Sequence, residues 1–196
     1  MKRDVGAMAW DAAVAATCAK YGSDDRHGSH VANLALQLFE AFSPLHMLGG
    51  DYERILGHAA HLHDVGYFVA AKSHHRHGAY IVEHDEQMRE YPLEDRRLLA
   101  GIVRNHRKRA RPAPREWPRE RRQALLWLSA LLRVADALDY DHTQAADITG
   151  VLPHGSGFEI VVQGMDPRAS VVRLAGKAGL LQELSGGPIR FAEAKR

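Results

Sequence analysis

The sequence predicts a mainly α fold, a helical bundle over the first two thirds followed by a small ββαβ appendage, and three observations carry that prediction. Apolar residues recur at three- and four-residue spacing almost throughout the first 140 positions. After Tyr140 the texture changes to short strand-like runs separated by Gly and Pro. At 196 residues, with 45% hydrophobic and 26% charged side chains, the chain supports one well-buried core with a small extension and is no disordered polymer.

The elements follow in order. Residues from about Asp4 to Lys20 form an Ala-rich helix. Ser23 to Asp25 offer N-caps for a second, in which Val31, Leu34 and Leu38 share a face and which Pro44 ends or follows. A third helix starts near Asp51, uses Ile55, Leu56, Ala59 and Leu62, and stops at Gly66. The fourth is expected from about His77 to Arg89, and Pro92 opens a fifth with Leu98, Leu99, Ile102 and Val103 inward. ARPAPREWP, with three prolines, has to be a loop, and Pro118 then opens a long sixth helix reaching about Asp139 through Leu125, Leu128, Leu132 and Ala135. Strands are expected at Asp147 to Leu152 and Phe158 to Gln163 across the turn PHGSG, a helix at Ala169 to Glu183, and a last strand at Ile189 to Phe191. The helical domain is therefore expected over residues 1–140 and the α/β extension over 141–196.

No apolar run approaches the roughly 18 residues that span a bilayer, and acidic residues interrupt the N-terminal apolar stretch, unlike a secretory signal. The expected location is the cytoplasm. The single cysteine, Cys18, excludes an internal disulfide and reads as small helical filler. The net charge of +2 is uneven: Arg104 to Arg122 hold nine basic residues against two Glu, a local +7, leaving −5 for the rest. Such a run is either a solvated face or a patch for phosphate-bearing ligands. With only Trp117 interleaved, it does not read as a surface for sequence-specific nucleic-acid recognition.

Six of the thirteen histidines fall between His58 and His77, in HAAHLHDVGYFVAAKSHHRH. Imidazole and carboxylate together suit a divalent cation, and helical phase tests the idea. His27 lies four residues before Val31, His63 seven after Leu56, His106 three after Val103, and Asp136 and Asp139 four and seven after Leu132. Each projects from an apolar face. Ionisable groups are costly to bury there unless paired or metal-bound, and four helices aiming His or Asp inward point to a shared metal site inside the bundle.

The order His27, His63-Asp64, Asp136 within RVADALD resembles the HD superfamily of metal-dependent phosphohydrolases. AAHLHDVG, HHRHGAYIV, IVRNHRK and LLRVADALD are similar, more narrowly, to the C-terminal HD-like domain of the exopolyphosphatase and guanosine-pentaphosphatase (Ppx/GppA) family, over nearly the whole chain. The resemblance implies that His27, His63, Asp64 and Asp136 ligate a first metal, that His74 and His106 add ligands to a second, and that Asp64 bridges the two. His75 is an adjacent candidate that the sequence does not separate from His74. Arg107, Lys108 and Arg133, close to these positions, are candidates to hold phosphate oxygens, with Lys72 a weaker one; Asp64, Lys108 and Arg133 form the expected catalytic set. The family's actin-like catalytic domain has no room in these 196 residues, so hydrolysis by that domain's mechanism is not expected.

The expected function is metal-dependent hydrolysis of a nucleotide, phosphoanhydride or phosphoester, with one or two divalent ions among manganese, iron, cobalt, nickel, magnesium and zinc. The alternative is a non-catalytic module that binds polyphosphate or docks on a partner through the basic run. A homodimer is the ordinary prior for such a chain. Phosphate-loop, HExxH, GxSxG and GxGxxG motifs are absent, since Gly176-Lys177 is followed by Ala178.

Overall fold

The computed structural model describes residues 2–165 and 170–194. Seven helices precede the sheet: α1 (Lys2–Tyr21), α2 (Asp25–Ala41), α3 (Ser43–His46), α4 (Gly50–Leu62), α5 (His74–His84), α6 (Leu93–Asn105) and α7 (Arg119–Leu138). Then follow β1 (Asp147–His154), β2 (Gly157–Gln163), α8 (Val171–Ser185) and β3 (Ile189–Glu193). The mainly α fold with a ββαβ appendage is therefore as the sequence predicts. Ala169, the expected start of the last helix, lies outside the described residues.

Local chemistry sets the helix ends. The Asp24 carboxylate accepts the Arg26 and His27 backbone N–H groups at 3.1 and 3.2 Å, satisfying donors that the first turn of α2 would otherwise leave open and fixing where His27 begins its turn. Pro44 opens a separate one-turn helix, α3, because a residue without an N–H is best placed at a helix start. The fourth helix departs most from expectation. It begins at His74, three residues before His77, and ends at His84, with Glu86–Glu90 tightened into a 3₁₀ turn capped by Asp85.

The long helix α7 is the centre of the molecule. Beyond the four residues read as its inward face, Ala130, Leu131, Val134 and Ala137 are buried too, because α2, α4 and α6 pack on one side and α8 on another. A helix apolar on most of its circumference has to be enclosed in this way. The apolar core is continuous from the bundle into the appendage, where Ile160, Val162, Leu174, Ala178, Leu181 and Ile189 complete it. In the sheet β2 is central. It pairs antiparallel with β1, from Asp147↔Gln163 to His154↔Gly157, and parallel with β3, from Phe158↔Ile189 to Val162↔Glu193, with α8 as the crossover.

One close approach positions the site. After α4 the chain turns through a 3₁₀ segment, Val65–Phe68, and α5 lies directly on it. A Cβ at Gly66 would stand 2.0 Å from the His74 carbonyl oxygen and 2.4 Å from the Gly78 nitrogen, so only glycine permits the N-terminus of α5 to sit this close to Asp64. Among the described residues no helix is long and apolar enough to cross a membrane.

Candidate functional site

The site lies where the C-terminal ends of α4 and α6 meet the start of α5, flanked by the first turn of α2 and the last of α7. His63 and His106 are the residues that close α4 and α6. Each folds back so that its Nδ1–H donates to the carbonyl three residues earlier, Ala60 at 2.7 Å and Val103 at 2.7 Å, groups that a helix end leaves without a partner. His74 donates in the same way to Ala71 at 3.1 Å. His27 donates from Nδ1 to the buried Asp139 carboxylate at 2.8 Å, and Asp139 is itself held by the Gln144 N–H at 2.7 Å.

Those four bonds fix the tautomer of all four rings. With the proton on Nδ1, every Nε2 presents a lone pair, and the lone pairs converge. His74 Nε2 stands 3.1 Å from His106 Nε2 and 3.3 Å from Asp64 Oδ1, and His106 Nε2 stands 3.9 Å from the same oxygen. His63 Nε2 lies 3.4 Å from Asp64 Oδ2 and 3.7 Å from Asp136 Oδ1. Two acceptors cannot bond one another, so the His74–His106 approach is repulsive unless a cation stands between them. Among the described residues His27 Nε2 and His63 Nε2 are buried with no hydrogen-bond partner, an expensive state for polar atoms in a native core. Among the described residues two ligand groups result, His27–His63–Asp64 and Asp64–His74–His106, each with its atoms within 4.8 Å of one another and with Asp64 common to both. Metal–nitrogen and metal–oxygen bonds of about 2.1 Å put neighbouring ligands roughly 3–3.5 Å apart, so this donor set fits divalent cations.

The electrostatics agree. Burial pushes the imidazoles of His106, His27 and His74 below the ordinary histidine range, His106 furthest, so these rings are neutral near pH 7. For Asp136 burial works against ionisation, but the Lys177 ammonium beside it counters this, and the carboxyl is held well below the usual range. Lys177 reaches in from α8, its Nζ 2.6 Å from Asp136 Oδ2 and 3.2 Å from the His106 carbonyl. The cleft above the two ligand groups encloses about 670 Å³ and is lined by Asp64, His74, His106, Asp136, Tyr67, Tyr140, His142 and three cations, Arg107, Arg173 and Lys177. Tyr67 stacks on His74 at 3.9 Å between ring centroids, and His142 stacks on His27 at 3.7 Å.

The structure thus brings together His27, His63, Asp64, His74, His106 and Asp136, and adds Arg107. It does not bring in Lys108 or Arg133. Lys108 follows the helix end with φ of 61°, which turns it away, and its carbonyl accepts from Arg133 at 2.6 Å. Arg133 also donates to the Asn105 carbonyl at 2.9 Å, so its guanidinium is used to hold the loop after α6. Both line a neighbouring cleft with Arg104, Arg109 and Arg111, as does His75, whose ring is pushed down to about 4 by burial and by His74. Lys72 lines a further cleft, with Arg76, Arg104 and Trp117. His58 is structural: it bridges the Tyr91 hydroxyl at 2.6 Å and Asp11 at 2.8 Å. Sequence reasoning missed Lys177, Arg173, Tyr67 and His142. For Lys177 the signal was present, since it stands three residues after Leu174 and one before Ala178 on the apolar side of α8.

Comparison with known proteins bears on this geometry. Residues 10–153 match the family model for Ppx/GppA phosphatase, domain III. A protein of Aeromonas hydrophila subsp. hydrophila named guanosine-5'-triphosphate,3'-diphosphate pyrophosphatase is 29% identical over 189 residues, covering 89% of this chain and 36% of its own length. Proteins of the same name from Aeromonas salmonicida and Pseudoalteromonas atlantica are 27% identical over 188 residues and 37% identical over 90, covering 89% and 45% of this chain and 36% and 18% of their own lengths. The chain spans about a third of the length of the relatives that it matches over most of its own.

Proposed function

This chain belongs to the Ppx/GppA phosphatase domain III family, and from that premise we propose that it is a divalent-metal-dependent phosphohydrolase acting on a nucleotide, phosphoanhydride or phosphoester. The observation that carries the reading is the convergence of four tautomer-fixed Nε2 lone pairs on the two oxygens of Asp64. A set of acceptors without donors has no use as a hydrogen-bonded core. The relatives' name, guanosine-5'-triphosphate,3'-diphosphate pyrophosphatase, supports a phosphoanhydride substrate.

His27, His63, Asp64 and Asp136 would hold one ion and His74, His106 and the other Asp64 oxygen a second. A divalent ion there supplies Lewis acidity toward phosphoryl oxygens and toward water. The protein's own part is positioning. Asp139 and the Ala60, Ala71 and Val103 carbonyls lock the rings, Gly66 lets α5 close on Asp64, and the neutral imidazoles leave the carboxylates as the local negative charge. Arg107 and Arg173, which both line the cleft, offer charge-assisted hydrogen bonds to the phosphate. Mixed imidazole and carboxylate donors accept manganese, iron, cobalt, nickel, magnesium or zinc.

A second reading has its own observation. Arg76, Arg104 and Arg111 line the two clefts beside the site, and among the described residues none of them forms an ion pair with a carboxylate. That arrangement suits a module that binds polyphosphate, or docks on a partner, without turnover.

Elemental analysis of protein purified without chelator, followed by turnover of nucleotides, cyclic nucleotides, guanosine tetraphosphate and polyphosphate with each metal, separates the readings. The expected result is bound transition metal that is lost in Asp64→Ala, together with hydrolysis of at least one substrate. A folded, metal-free protein would sink the metal reading, and metal with no turnover would favour the binding module.

A further inference from the structure

We infer that Lys177, contributed by the appendage helix α8, is a substrate-contacting residue of this site: its ammonium restrains Asp136 to one free oxygen and keeps a proton for a phosphoryl oxygen. The inference rests on the phosphohydrolase reading and extends it to a residue outside the helical bundle.

An ammonium has three donors and no acceptor. Two donors are spent inside the protein, one on Asp136 Oδ2 at 2.6 Å and one on the His106 carbonyl at 3.2 Å. These two bonds come from different helices, α7 and the end of α6, so the nitrogen is fixed relative to both. The side chain remains 20% exposed, and it lines the cleft that also holds Asp64, His74 and His106. The third N–H therefore has the cleft as its outlet.

A purely structural role explains less. Leu174, Ala178 and Leu181 are fully buried and dock α8 on the core through apolar contact alone. Placing a cation on the oxygen of a metal-binding carboxylate also has a cost, because it repels any ion held nearby. That cost makes sense if the ammonium faces an anion. Arg173, one turn earlier on the same helix, lines the same cleft, held with its guanidinium carbon 4.2 Å from the Tyr140 ring centroid. Its Nε is buried with no hydrogen-bond partner among the described residues. Helix α8 thus presents two cations, four residues apart, to the place where phosphate would sit. With Oδ2 taken, only Asp136 Oδ1 faces His63, at 3.7 Å. Lys177 accordingly lowers the negative charge offered to metal while raising the positive charge offered to substrate.

Two binding measurements on the full chain test this, neither of them reading activity. Lys177→Gln retains hydrogen-bond donors for Asp136 and the His106 carbonyl but loses the charge, and Lys177→Arg keeps the charge. Circular dichroism and thermal melts verify the fold of each. With chelator-treated protein, calorimetric titration of inorganic pyrophosphate should weaken roughly tenfold or more in Lys177→Gln, the worth of one charge-assisted hydrogen bond, and change little in Lys177→Arg. Manganese titration should go the other way, tightening about tenfold in Lys177→Gln as a like charge is removed. A folded Lys177→Gln with unchanged pyrophosphate affinity, or with unchanged or weaker manganese affinity, overturns the inference. So does a wild-type chain that binds no pyrophosphate. If the wild type binds pyrophosphate but no manganese, the metal reading fails by itself, and the pyrophosphate arm alone decides for or against Lys177.

Discussion

Replacing Gly66 with alanine adds one methyl group 2.0 Å from the His74 carbonyl oxygen, 2.4 Å from the Gly78 nitrogen and 2.9 Å from the His74 carbonyl carbon. All three obstacles are backbone, so no side chain can swing aside. Real Cβ contacts stay above 3.0 Å, and α5 or the 3₁₀ turn has to retreat by about 1 Å. His74 Nε2, at 3.3 Å from Asp64 and 3.1 Å from His106, moves with α5. Overpacking of this kind costs about 1–3 kcal/mol, and a 1 Å misplacement in a preorganised site costs on the order of 100-fold. The expected result is a folded variant with a melting temperature several degrees lower, metal retained more weakly at the Asp64–His74–His106 group, and any hydrolysis reduced about 100-fold. Circular dichroism melts and metal analysis after dialysis read the first two. Gly57→Ala is the control. That glycine lies inside α4 with nothing within 4 Å of its added Cβ, so alanine there should stabilise by about 0.5–1 kcal/mol. A Gly66→Ala protein as stable as wild type, with full metal loading, would refute the close-approach argument.

Other expectations follow from the same geometry. Asp139→Asn weakens the hydrogen bond that orients His27 and should lower metal affinity about 10–100-fold with the fold intact, measured by competition with a chromophoric chelator; unchanged affinity would remove Asp139 from the site. Burial, opposed by the Phe39 carbonyl, holds His46 below its ordinary 6.5, and burial lowers His58 likewise. The unfolded chain therefore takes up protons below about pH 6.5 that the folded one refuses, and stability, complete above that pH, falls as the pH drops toward the folded values. Urea midpoints of metal-free protein at pH 7.5 and 5.5 should differ in that sense, and equal midpoints would contradict it. Burial, reinforced by Asp25, pushes the Cys18 thiol up to about 11, so a disulfide reagent at pH 8 should react about 100-fold more slowly than with free cysteine; fast labelling would show that the thiol is exposed.

The sequence by itself determined the helical class, the ββαβ end and the residues that face inward, because a 3.6-residue period ties each position to a face once the apolar stripe is known. His27 and Asp136 are inside helices and could be projected from Val31 and Leu132. His63 and His106 close helices, one residue past the last regular turn, and phase still held there. Two residues past His106, and at Arg133 inside α7, it failed. Arg107 enters the cleft, while Lys108, at a positive φ, and Arg133, occupied with the carbonyls of that same turn, belong to the clefts beside it. His74 and His75 were inseparable for a related reason, since only the start of α5 at His74, fixed by contact with Gly66, says which ring turns inward. For Lys177 the phase of α8 gave the inward face, but its pairing was left to the tertiary structure. Its partner Asp136 is 41 residues away, and a pairing over that distance is set by how α8 packs on α7, which no local period encodes.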